Sequence, residues 1–415
     1  MQIKQDFERR VAIVVLGDLG RSPRMQYHAR SLADAGAAVD LVGYVETELF
    51  DAVQNHPMIR VHALRQISAS DFIRRNRRLF VLHAMARVSL DTIQLTWALL
   101  FGLERPDTVF VQNPPSVPVL LVALVVARLR SARYVIDWHN YGYSMIALRL
   151  GERSPLVLLH KWLERLCGGK ADHHLCVSAA MRAQLIQRWG FADPIILYDR
   201  PAQGFEPIAP ELAGELLGRL RQELDLPITS RPAAWIVCPT SWTDDEDFSF
   251  LLELAAQKHD EAMPDLVILI TGKGPQRTAF EREAMRLPPS RVHLRTLWLP
   301  YREYQRLLGA VHLGLCFHRS SSKVDLPMKI MDMFGAGLPV CALDYGPCLA
   351  EQVQHHVSGL LFDSPADLKK QLCELFSSFP TDTRLLDELR LGVDRCRQQS
   401  WDENWQEHAR AGLIG

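Results

Sequence analysis

Short apolar runs alternate with amphipathic segments along this chain, and the alternation predicts a doubly wound α/β architecture. The apolar run Val11–Leu16 ends at the polar loop Gly17-Asp18-Leu19-Gly20, a helix is predicted over 23–35, and the apolar run Val39–Val42 follows. A strand, a crossover helix and a second strand of this size form the βαβ unit of a parallel sheet. Ligands of such sheets lie beyond the carboxyl ends of the strands, so the loop after the first strand is a candidate binding element.

The same alternation continues to about residue 200, and each predicted strand ends in polar residues. These polar stretches begin at Gly17, Gln112, Asp137 and Ser178. Because the carboxyl ends of parallel strands meet at one edge of a sheet, we expect these four stretches to lie along the same edge. The first half of the chain is therefore predicted to be one Rossmann-like domain over residues 1–200.

Residues 201–231 change character and are predicted to be an interdomain linker with a helix near 210–224. They contain several prolines and charges and few β-branched residues. A second strand–helix series occupies 232–395 and predicts a second Rossmann-like domain, and residues 396–415 are predicted to form a helix that crosses back to the first domain. Two such domains with a linker favour an enzyme whose site lies in a cleft between them.

The composition is that of an ordinary globular protein and excludes several classes. The formal net charge of −1 gives no general attraction to nucleic acid. The eight cysteines include no CxxC pair and are typical of buried apolar positions in a reducing compartment. The first ten residues are polar and predict no secretory signal, and the longest apolar run, Val117–Ala127, is far below the ~20 residues of a membrane span.

Residues 72–101 form a locally unusual segment with two interpretations. Four arginines, at positions 74, 75, 77 and 78, precede a largely apolar stretch that is compatible with a helix. The first interpretation is an amphipathic helix that packs on its own sheet and has a solvated basic start. The second is a surface that contacts an anionic membrane.

In the second half, residues 320–340 contain the strongest candidate site. Three serines and Lys323 precede a predicted helix over 326–334, and Pro327 suits a first helical turn. The N–H groups and the positive dipole end of such a helix suit a diphosphate, and Lys329 adds charge. Asp332 lies seven residues after Asp325 on nearly the same helical face, where a carboxylate suits a ribose hydroxyl.

Other motifs carry less information. Gly272-Lys273-Gly274-Pro275 is a glycine loop after an apolar strand, but it is neither a Walker A loop nor part of a GxGxxG sequence. The acidic run 244–247 is predicted to be the first turn of a helix rather than a cation site. No HExxH or GxSxG motif and no Cys/His cluster is present, so the sequence predicts no metal centre and no serine hydrolase.

Seven sequence blocks between residues 11 and 342 together resemble the chitobiosyldiphosphodolichol β-mannosyltransferase family. The blocks are VVLGDLGRSPRMQYHARSLA, VQNPPSVP, VIDWHNYGYS, LYDRPA, TSWTDDEDF, ITGKGP and SSSKVDLPMKIMDMFGAGLPVCA. The resemblance implies a GT-B fold, GDP-mannose as donor without a required cofactor, and a lipid-diphosphate-linked N-acetylglucosamine disaccharide as acceptor. It also implies a β1,4 linkage, hence inversion at the anomeric carbon, and a cytoplasmic protein that is peripheral on the cytoplasmic face of a membrane.

This resemblance assigns expected roles to residues of this sequence. Inversion needs a general base, for which the candidates are, in order, Asp18, His139 and Asp137; His139 could instead bind mannose hydroxyls, and Asp137 could be a structural acceptor. The second domain is expected to hold the donor through Ser241, Lys273, Gly274, Trp298, Leu299, Ser321, Ser322, Asp325, Leu326, Pro327, Lys329 and Asp332. The first domain is expected to hold the acceptor through Gly17, Gly20, Arg21, Ser22, Arg24, Asn113, Asn140 and Tyr141.

Three alternatives stay open at this point. The nearest is a GT-B transferase that uses another nucleotide sugar or a soluble acceptor. Nucleotide-sugar epimerases also use two Rossmann-like domains, and product analysis without acceptor would reveal one. A non-catalytic scaffold is a different class, but it would need none of Asp18, His139, Lys329 and Asp332.

Overall fold

The computed structural model describes residues 9–66, 77–227, 229, 231–243, 245–257 and 263–414. The chain divides into two compact units. The first unit comprises residues 1–198 and 402–415, and the second comprises residues 199–401. The residues predicted to be a separate linker, 201–231, belong to the second unit and contribute a helix to it.

The first unit is built on a seven-stranded parallel sheet with the order β3-β2-β1-β4-β5-β6-β7. Its strands are β1 Arg10–Asp18, β2 Ala38–Tyr44, β3 Ile59–Ala63, β4 Thr108–Asn113, β5 Arg133–Trp138, β6 His173–Cys176 and β7 Ile195–Ile196. Its helices before residue 198 are α1 Pro23–Asp34, α2 Asp51–Gln54, α3 Arg77–Trp97, α4 Val119–Arg130, α5 Gly142–Leu150, α6 Pro155–Gly168 and α7 Ala179–Trp189. A 3₁₀ turn at Leu19–Arg21 precedes α1, and a π-helical turn at Ala98–Gly102 continues α3.

The second unit is built on a six-stranded parallel sheet with the order β10-β9-β8-β11-β12-β13. Its strands are β8 Ala233–Pro239, β9 Asp265–Thr271, β10 Val292–Leu297, β11 Leu313–Cys316, β12 Val340–Leu343 and β13 Gly359–Phe362. Its helices are α8 Pro210–Glu223, α9 Ser249–Ala256, α10 Arg277–Ala284, α11 Tyr301–Ala310, α12 Met328–Gly335, α13 Pro365–Phe376 and α14 Arg384–Cys396. A 3₁₀ turn lies at Pro347–Glu351.

The apolar runs of the sequence become strands that are buried on both faces. Along β8, Ala234, Ile236 and Cys238 belong to one apolar cluster, whereas Trp235 and Val237 belong to the other. Successive side chains of a strand point to opposite faces, so a continuous apolar run is needed when helices cover both faces of a parallel sheet. This is why the runs could be recognised as strands without an alternating polar pattern.

The register of the first sheet brings the predicted polar positions to one edge. β4 pairs with β5 so that Gln112 lies opposite Asp137 and Asn113 lies opposite Trp138. The polar stretch that begins at Asp137 was predicted to follow the strand, but β5 continues through Trp138. Asp137 is therefore the penultimate residue of a buried strand rather than a loop residue, which decides its role below.

The last two helices, α15 Trp401–His408 and α16 Arg410–Ile414, lie at the end of the chain. Within the first unit, Asn404 Nδ2 donates to the carbonyl of Tyr198 at 2.8 Å, and Arg133 Nη2 donates to the carbonyl of Leu413 at 2.7 Å. These contacts attach the C-terminal segment to the first sheet. None of the helices in the described ranges is both long enough and apolar enough to cross a membrane.

Candidate active site

A buried ion-pair cluster lies at the carboxyl end of β5 and is centred on Asp137. Arg24, the second residue of α1, donates to both Asp137 oxygens, from Nε at 2.8 Å and from Nη2 at 3.0 Å. Its remaining terminal nitrogen donates to the carbonyl of Leu197 at 2.7 Å. Arg24 is only 1% exposed, so the structure corrects its expected role: the guanidinium is committed to Asp137 and does not face a ligand.

Two histidines complete this cluster and differ in exposure. His28 Nε2 lies 3.3 Å from Asp137 Oδ2, and its Nδ1 accepts from the indole of Trp405 at 3.1 Å. Burial lowers the pKa of His28 to about 4, so this imidazole is neutral and carries its proton on Nε2. His139 Nε2 lies 2.8 Å from the same carboxylate oxygen, and its side chain is one-fifth exposed.

Asp137 is therefore an orienting carboxylate. Burial would raise its pKa, but Arg24 and the two imidazoles hold that pKa well below its usual range. A permanently ionised carboxylate that accepts from one nitrogen of an accessible imidazole fixes the imidazole's tautomer and orientation. This arrangement equips His139 to accept a proton from a bound hydroxyl.

Asp18, the first-ranked base candidate, has a different environment. Its Oδ1 accepts backbone N–H bonds from Glu46 at 3.0 Å and Thr47 at 3.2 Å, and its Oδ2 accepts from the Thr47 hydroxyl at 2.7 Å. Burial would raise its pKa, but the hydroxyl and backbone hydrogen bonds lower the pKa below the ordinary value. A carboxylate with a lowered pKa and filled acceptor positions is a weak base, so the structure favours a role for Asp18 in fastening the β1 loop to the loop after β2.

The rest of this loop remains available to a ligand. The Arg21 side chain is mostly exposed, and its Nε lies 3.6 Å from Asp18 Oδ2. The Ser22 hydroxyl donates to the backbone carbonyl of Asp18 at 3.0 Å. A Cβ on Gly20 would lie 2.3 Å from the Thr47 hydroxyl oxygen, so only glycine fits there. Gly17 has no such restriction, since its nearest neighbour would be 3.8 Å away.

Of the remaining acceptor-binding candidates, Asn113 and Tyr141 are buried, which corrects their expected direct contact with an acceptor. Asn113 Nδ2 donates to the carbonyl of Asn140 at 2.9 Å, and the Tyr141 ring stacks on Trp189 with centroids 4.8 Å apart. Asn140 is half-buried, and its side-chain oxygen accepts from the backbone N–H of Tyr141 at 2.7 Å. These contacts hold the loop after β5 in its conformation.

Glu164 of α6 is a buried carboxyl that sequence reasoning missed. Its Oε1 accepts from the Gly142 N–H at 2.6 Å and lies 3.4 Å from Asn113 Nδ2. Burial raises the pKa of Glu164 to about 7, and the hydrogen bonds only partly oppose this. In the sequence Glu164 sits in an ordinary amphipathic helix, so no local signal marked it.

In the second unit, an ion pair between half-buried Lys329 and buried Glu246 joins the loop after β8 to α12. Lys329 Nζ lies 2.5 Å from Glu246 Oε1, and Glu246 Oε2 accepts from the Thr240 hydroxyl and from the Ser241 N–H at 3.0 Å. Burial would lower the pKa of Lys329, but Glu246 raises it above the ordinary value, so the ammonium stays charged. Residues 245–247 of the acidic run precede α9, which begins at Ser249, so they are not its first turn, and this corrects their predicted role. Residue 244 lies outside the described residues.

A second ion cluster joins the same loop to the loop after β11. His318 lies between two carboxylates, with Nδ1 3.2 Å from Asp245 and Nε2 3.0 Å from Asp325. Asp325 also accepts from the hydroxyls of Ser320 and of Ser322, the latter at 3.2 Å. Burial would lower the pKa of His318, yet the two aspartates raise it to about 9, so the imidazole is protonated at neutral pH.

These contacts hold the start of α12 in place. The helix begins at Met328 after Pro327, so the predicted start near Leu326 is two residues early, and Lys329 lies in its first turn. Ser321 and Ser322 are half-buried, and Leu326 and Pro327 are buried. A helix N-terminus with a charged lysine and hydroxyls nearby is suited to an anion.

Two further loops follow β9 and β10, at the same edge of the second sheet. Lys273 Nζ lies 3.7 Å from the centroid of the Trp298 ring, and both side chains are exposed, whereas Leu299 is half-buried. A Cβ on Gly274 would lie 1.9 Å from the carbonyl oxygen of Ser241, so glycine is required where the β9 loop meets the β8 loop. The exposed indole offers a flat surface on which a nucleobase can stack.

Asp332 lies one turn further along α12 and is partly exposed. Burial and the nearby Asp199 raise its pKa to about 7, and Lys329 opposes this. Its expected contact with a ribose stays a prediction. Among the residues that the structure describes, no group of three or more His, Cys, Asp or Glu side chains could hold a metal ion.

Sequence reasoning missed Glu246, His318 and His28 as members of these clusters. Glu246 belongs to an acidic run for which helix capping was the simpler interpretation, and His318 is separated by 73 residues from Asp245. Only the strand order, which makes β8 and β11 neighbours, brings the two loops together.

Comparison with known proteins follows the division into two units. Residues 20–197 match the family model of the glycosyl transferase 4-like domain, and residues 234–378 match that of the glycosyl transferases group 1. The chain is similar to the chitobiosyldiphosphodolichol beta-mannosyltransferase of Homo sapiens, with 38% identity over 96% of this chain and 91% of the relative. It is also similar to the UDP-glycosyltransferase TURAN of Arabidopsis thaliana, with 37% identity over 97% of this chain and 96% of the relative.

Among solved structures, HepE of Anabaena in complex with UDP resembles the chain with a TM-score of 0.64. The match covers 96% of this chain and 98% of that chain at 14% identity. This likeness and the two glycosyltransferase family models show that the chain has a GT-B fold, which confirms the predicted fold class.

Proposed function

The chain belongs to the chitobiosyldiphosphodolichol β-mannosyltransferase family, as its sequence blocks predicted, and from this membership we propose that it transfers mannose from GDP-mannose to a lipid-diphosphate-linked chitobiose. The new bond is β1,4, and the anomeric carbon inverts. The single observation that carries the proposal is 38% identity to a named member over 96% of the chain.

Inversion in the proposed reaction occurs in one displacement. The O4 hydroxyl of the terminal N-acetylglucosamine attacks mannose C1, the bond from C1 to the diphosphate oxygen breaks, and GDP leaves with the electron pair. The hydroxyl proton passes to a general base of the protein. We assign that base to His139, with Asp137 as the positioning residue that holds its Nε2 at 2.8 Å.

The reordering of the base candidates rests on proton affinity and access. A base must have a free acceptor and a pKa near the working pH. Asp18 and Asp137 are both held below their ordinary pKa by hydrogen bonds or charges, and Asp137 is fully buried. His139 is accessible, and its Nε2 is held at 2.8 Å by the Asp137 carboxylate, so it is the better placed of the three.

In the proposed mechanism, the departing diphosphate is stabilised by α12 of the second unit. The free N–H groups at its start, the charged Lys329 and the nearby serine hydroxyls supply donors, and the charge of Lys273 adds to them. Trp298 is the proposed platform for the guanine, and Asp332 the acceptor for ribose hydroxyls. No divalent cation is required in this scheme, because the protein supplies the positive charge.

A transfer assay read by mass spectrometry tests the proposal. Purified protein is given GDP-mannose and a short-chain lipid-diphosphate chitobiose, with and without EDTA, and parallel reactions receive UDP-sugars. The expected product carries one added hexose that β-mannosidase removes and α-mannosidase does not, at equal yield with EDTA. No hexose transfer from GDP-mannose, or loss of transfer with EDTA, would overturn the corresponding part of the proposal.

The base assignment has its own variants. His139→Ala should lower kcat by roughly 10²–10⁴-fold with little change in the KM for the donor, since a general base contributes about that much. His173→Ala is the matched control, because His173 is an exposed histidine at the start of β6, the opposite end of the same sheet. A His139→Ala enzyme with near-normal kcat would refute the assignment.

A second candidate function is transfer from a UDP-sugar. The name of the Arabidopsis relative and the UDP bound to HepE favour it. Activity with a UDP-sugar and none with GDP-mannose would establish this alternative and leave the fold and the family unchanged.

A further inference from the structure

The first unit carries a concentration of exposed apolar side chains on four helices. Of the 25 large apolar side chains that are exposed in the described part of the chain, 17 lie between residues 82 and 166. They are Leu82, Met85, Val88, Ile93, Trp97, Phe101, Leu121, Val125, Leu129, Met145, Leu148, Leu150, Leu156, Leu158, Leu159, Trp162 and Leu166. Singly scattered apolar residues are normal on a surface, but a contiguous set marks an interaction site.

Helix α3 shows that the exposure is organised. Its buried side contains Asp91, which accepts from the hydroxyl of Tyr44 at 2.7 Å, and Leu95. Its outward side contains Met85, Ile93 and Trp97, which are 62%, 65% and 63% exposed. The helix therefore buries Leu95 and Asp91 and in addition exposes an apolar stripe at helical spacing, whereas the outward side of an ordinary surface helix is polar.

The four helices form one layer. α3 packs against α4, α4 packs against α6, and α5 packs against α6. All four lie in connections that run from β3 towards β6 across the sheet, and right-handed crossovers in one direction place their helices on the same face. We call this layer the apolar face; it comprises residues 82–101, 119–129 and 142–166.

The exposed charges beside the apolar side chains of α5 and α6 are mostly basic. Within residues 142–170, five exposed side chains are basic, and the only exposed acidic side chain is Glu152. The basic residues are Arg149, Arg153, Lys161, Arg165 and Lys170. The whole chain has a net charge of −1, so this excess is local. Exposed tryptophans, basic side chains and aliphatic residues together are typical of elements that lie in the interface of a bilayer.

We propose that the apolar face docks on the surface of an anionic phospholipid bilayer and enters it only to interfacial depth. The inference rests on the proposed function, in which the acceptor is held in a membrane by its lipid. A second copy of this chain fits the face less well, because a two-fold contact would bring the basic residues of one copy against those of the other. The basic residues instead complement acidic headgroups, each contributing attraction at the surface.

Flotation with lipid vesicles tests this proposal on the full chain. The protein is expected to float with phosphatidylserine-containing vesicles, to float less in high salt, and to bind poorly to pure phosphatidylcholine vesicles. Ile93→Ser combined with Trp97→Ser should lower the partition coefficient by roughly 100-fold, given the apolar area of the two side chains. The control pair is Met285→Ser with Leu391→Ser, two exposed apolar residues of the second unit, which should change nothing.

Charge variants probe the second part of the proposal. Lys161→Gln with Arg165→Gln should lower binding to anionic vesicles by roughly 30-fold, about 5-fold for each charge. Lys370→Gln with Arg384→Gln, both exposed in the second unit, should have no effect. Equal flotation of the apolar-face variants and their controls, or no flotation at all, would overturn the proposal.

A readout of activity separates this proposal from the proposed function. With a water-soluble short-chain acceptor, the apolar-face variants should keep wild-type transfer, whereas transfer to the same headgroup on a vesicle-embedded lipid should fall. Sedimentation that shows a dimer dispersed by the Ile93/Trp97 variant, without vesicle binding, would assign the face to a second copy and overturn the membrane proposal. Absence of transfer with vesicle binding intact would refute the proposed function alone.

Discussion

Replacement of Asp137 by asparagine is expected to destabilise the first unit strongly. Asp137 and Arg24 are at most 1% exposed and are joined by two hydrogen bonds, of 2.8 and 3.0 Å. An asparagine would present an NH₂ group to one of the guanidinium donors and would leave the buried positive charge unpaired. Removing one partner of a buried ion pair costs about 3–5 kcal/mol, so this is the expected loss in the free energy of unfolding.

Asp34→Asn is the matched control. Asp34 is half-exposed, and its carboxylate lies 3.3 Å from the guanidinium of Arg30, on the same helix as Arg24. A surface pair of this kind contributes about 0–1 kcal/mol. The two variants make the same chemical change beside an arginine of α1 and differ in the burial of the carboxylate and in the number of its partners.

Hydrogen exchange read by mass spectrometry is the appropriate assay, because it reports the two units separately. Amides of β1, β4 and β5 should lose protection in Asp137→Asn by the predicted amount, and amides of β8 and β9 should not change. A cost for Asp137→Asn within about 1 kcal/mol of that for Asp34→Asn would refute the argument that Arg24 and Asp137 form a buried charged pair.

Three further predictions concern single groups. The wild-type native state holds a proton on Glu164 up to about pH 7, so the wild type loses unfolding free energy as pH rises from 4.5 to 7. Glu164→Gln should therefore become more stable than the wild type over this range, by up to about 3 kcal/mol, and denaturation at pH 5 and 8 tests the sign. The contribution of His318 to the free energy of unfolding should be fully present below pH 6.5 and be lost as pH rises through about 9. The difference in unfolding free energy between wild type and His318→Gln should therefore shrink by about 3 kcal/mol between pH 6 and 10, and a difference that grew with pH would contradict the ion cluster. Gly274→Ala should destabilise the second unit by about 1–3 kcal/mol, because its Cβ would clash with the carbonyl of Ser241. Gly214→Ala should stabilise the same unit by about 0.5–1 kcal/mol, because Gly214 lies within α8 and a Cβ there would meet no atom within 4 Å; thermal unfolding of both variants separates the two effects.

The sequence was sufficient for the fold class because the strands of parallel sheets are encoded locally. Runs such as Val11–Leu16 must be continuously apolar when helices cover both faces, and the polar residues that follow them must lie at one edge. The blocks that resemble a known family added the activity class. Both inferences use residues that are neighbours in the chain, so neither needed the tertiary structure.

The roles of individual site residues were a different matter. Asp18 and Asp137 are both aspartates at strand ends, and the sequence offered no reason to prefer His139 over them. Their order changed once Asp18 was found to accept three hydrogen bonds from residues 46 and 47, and Asp137 to be shared by Arg24, His28 and His139. Burial and charge pairing set proton affinity, and both depend on contacts between distant segments.

The same limit applies to the surface of the first unit. From the sequence, residues 72–101 had two opposed interpretations, an amphipathic helix that packs on its own sheet or a membrane contact. Residues 72–76 lie outside the described part of the chain. The inner and outer sides of α3 became clear only from the contact of Asp91 with Tyr44. What the sequence by itself determined is the succession of strands and helices along the chain, the family, and the positions of the glycine turns, because these follow from local patterns. What only the tertiary structure decided is which polar groups are buried together and which apolar groups stay exposed, because the order of the strands within each sheet brings together residues that lie far apart in the chain.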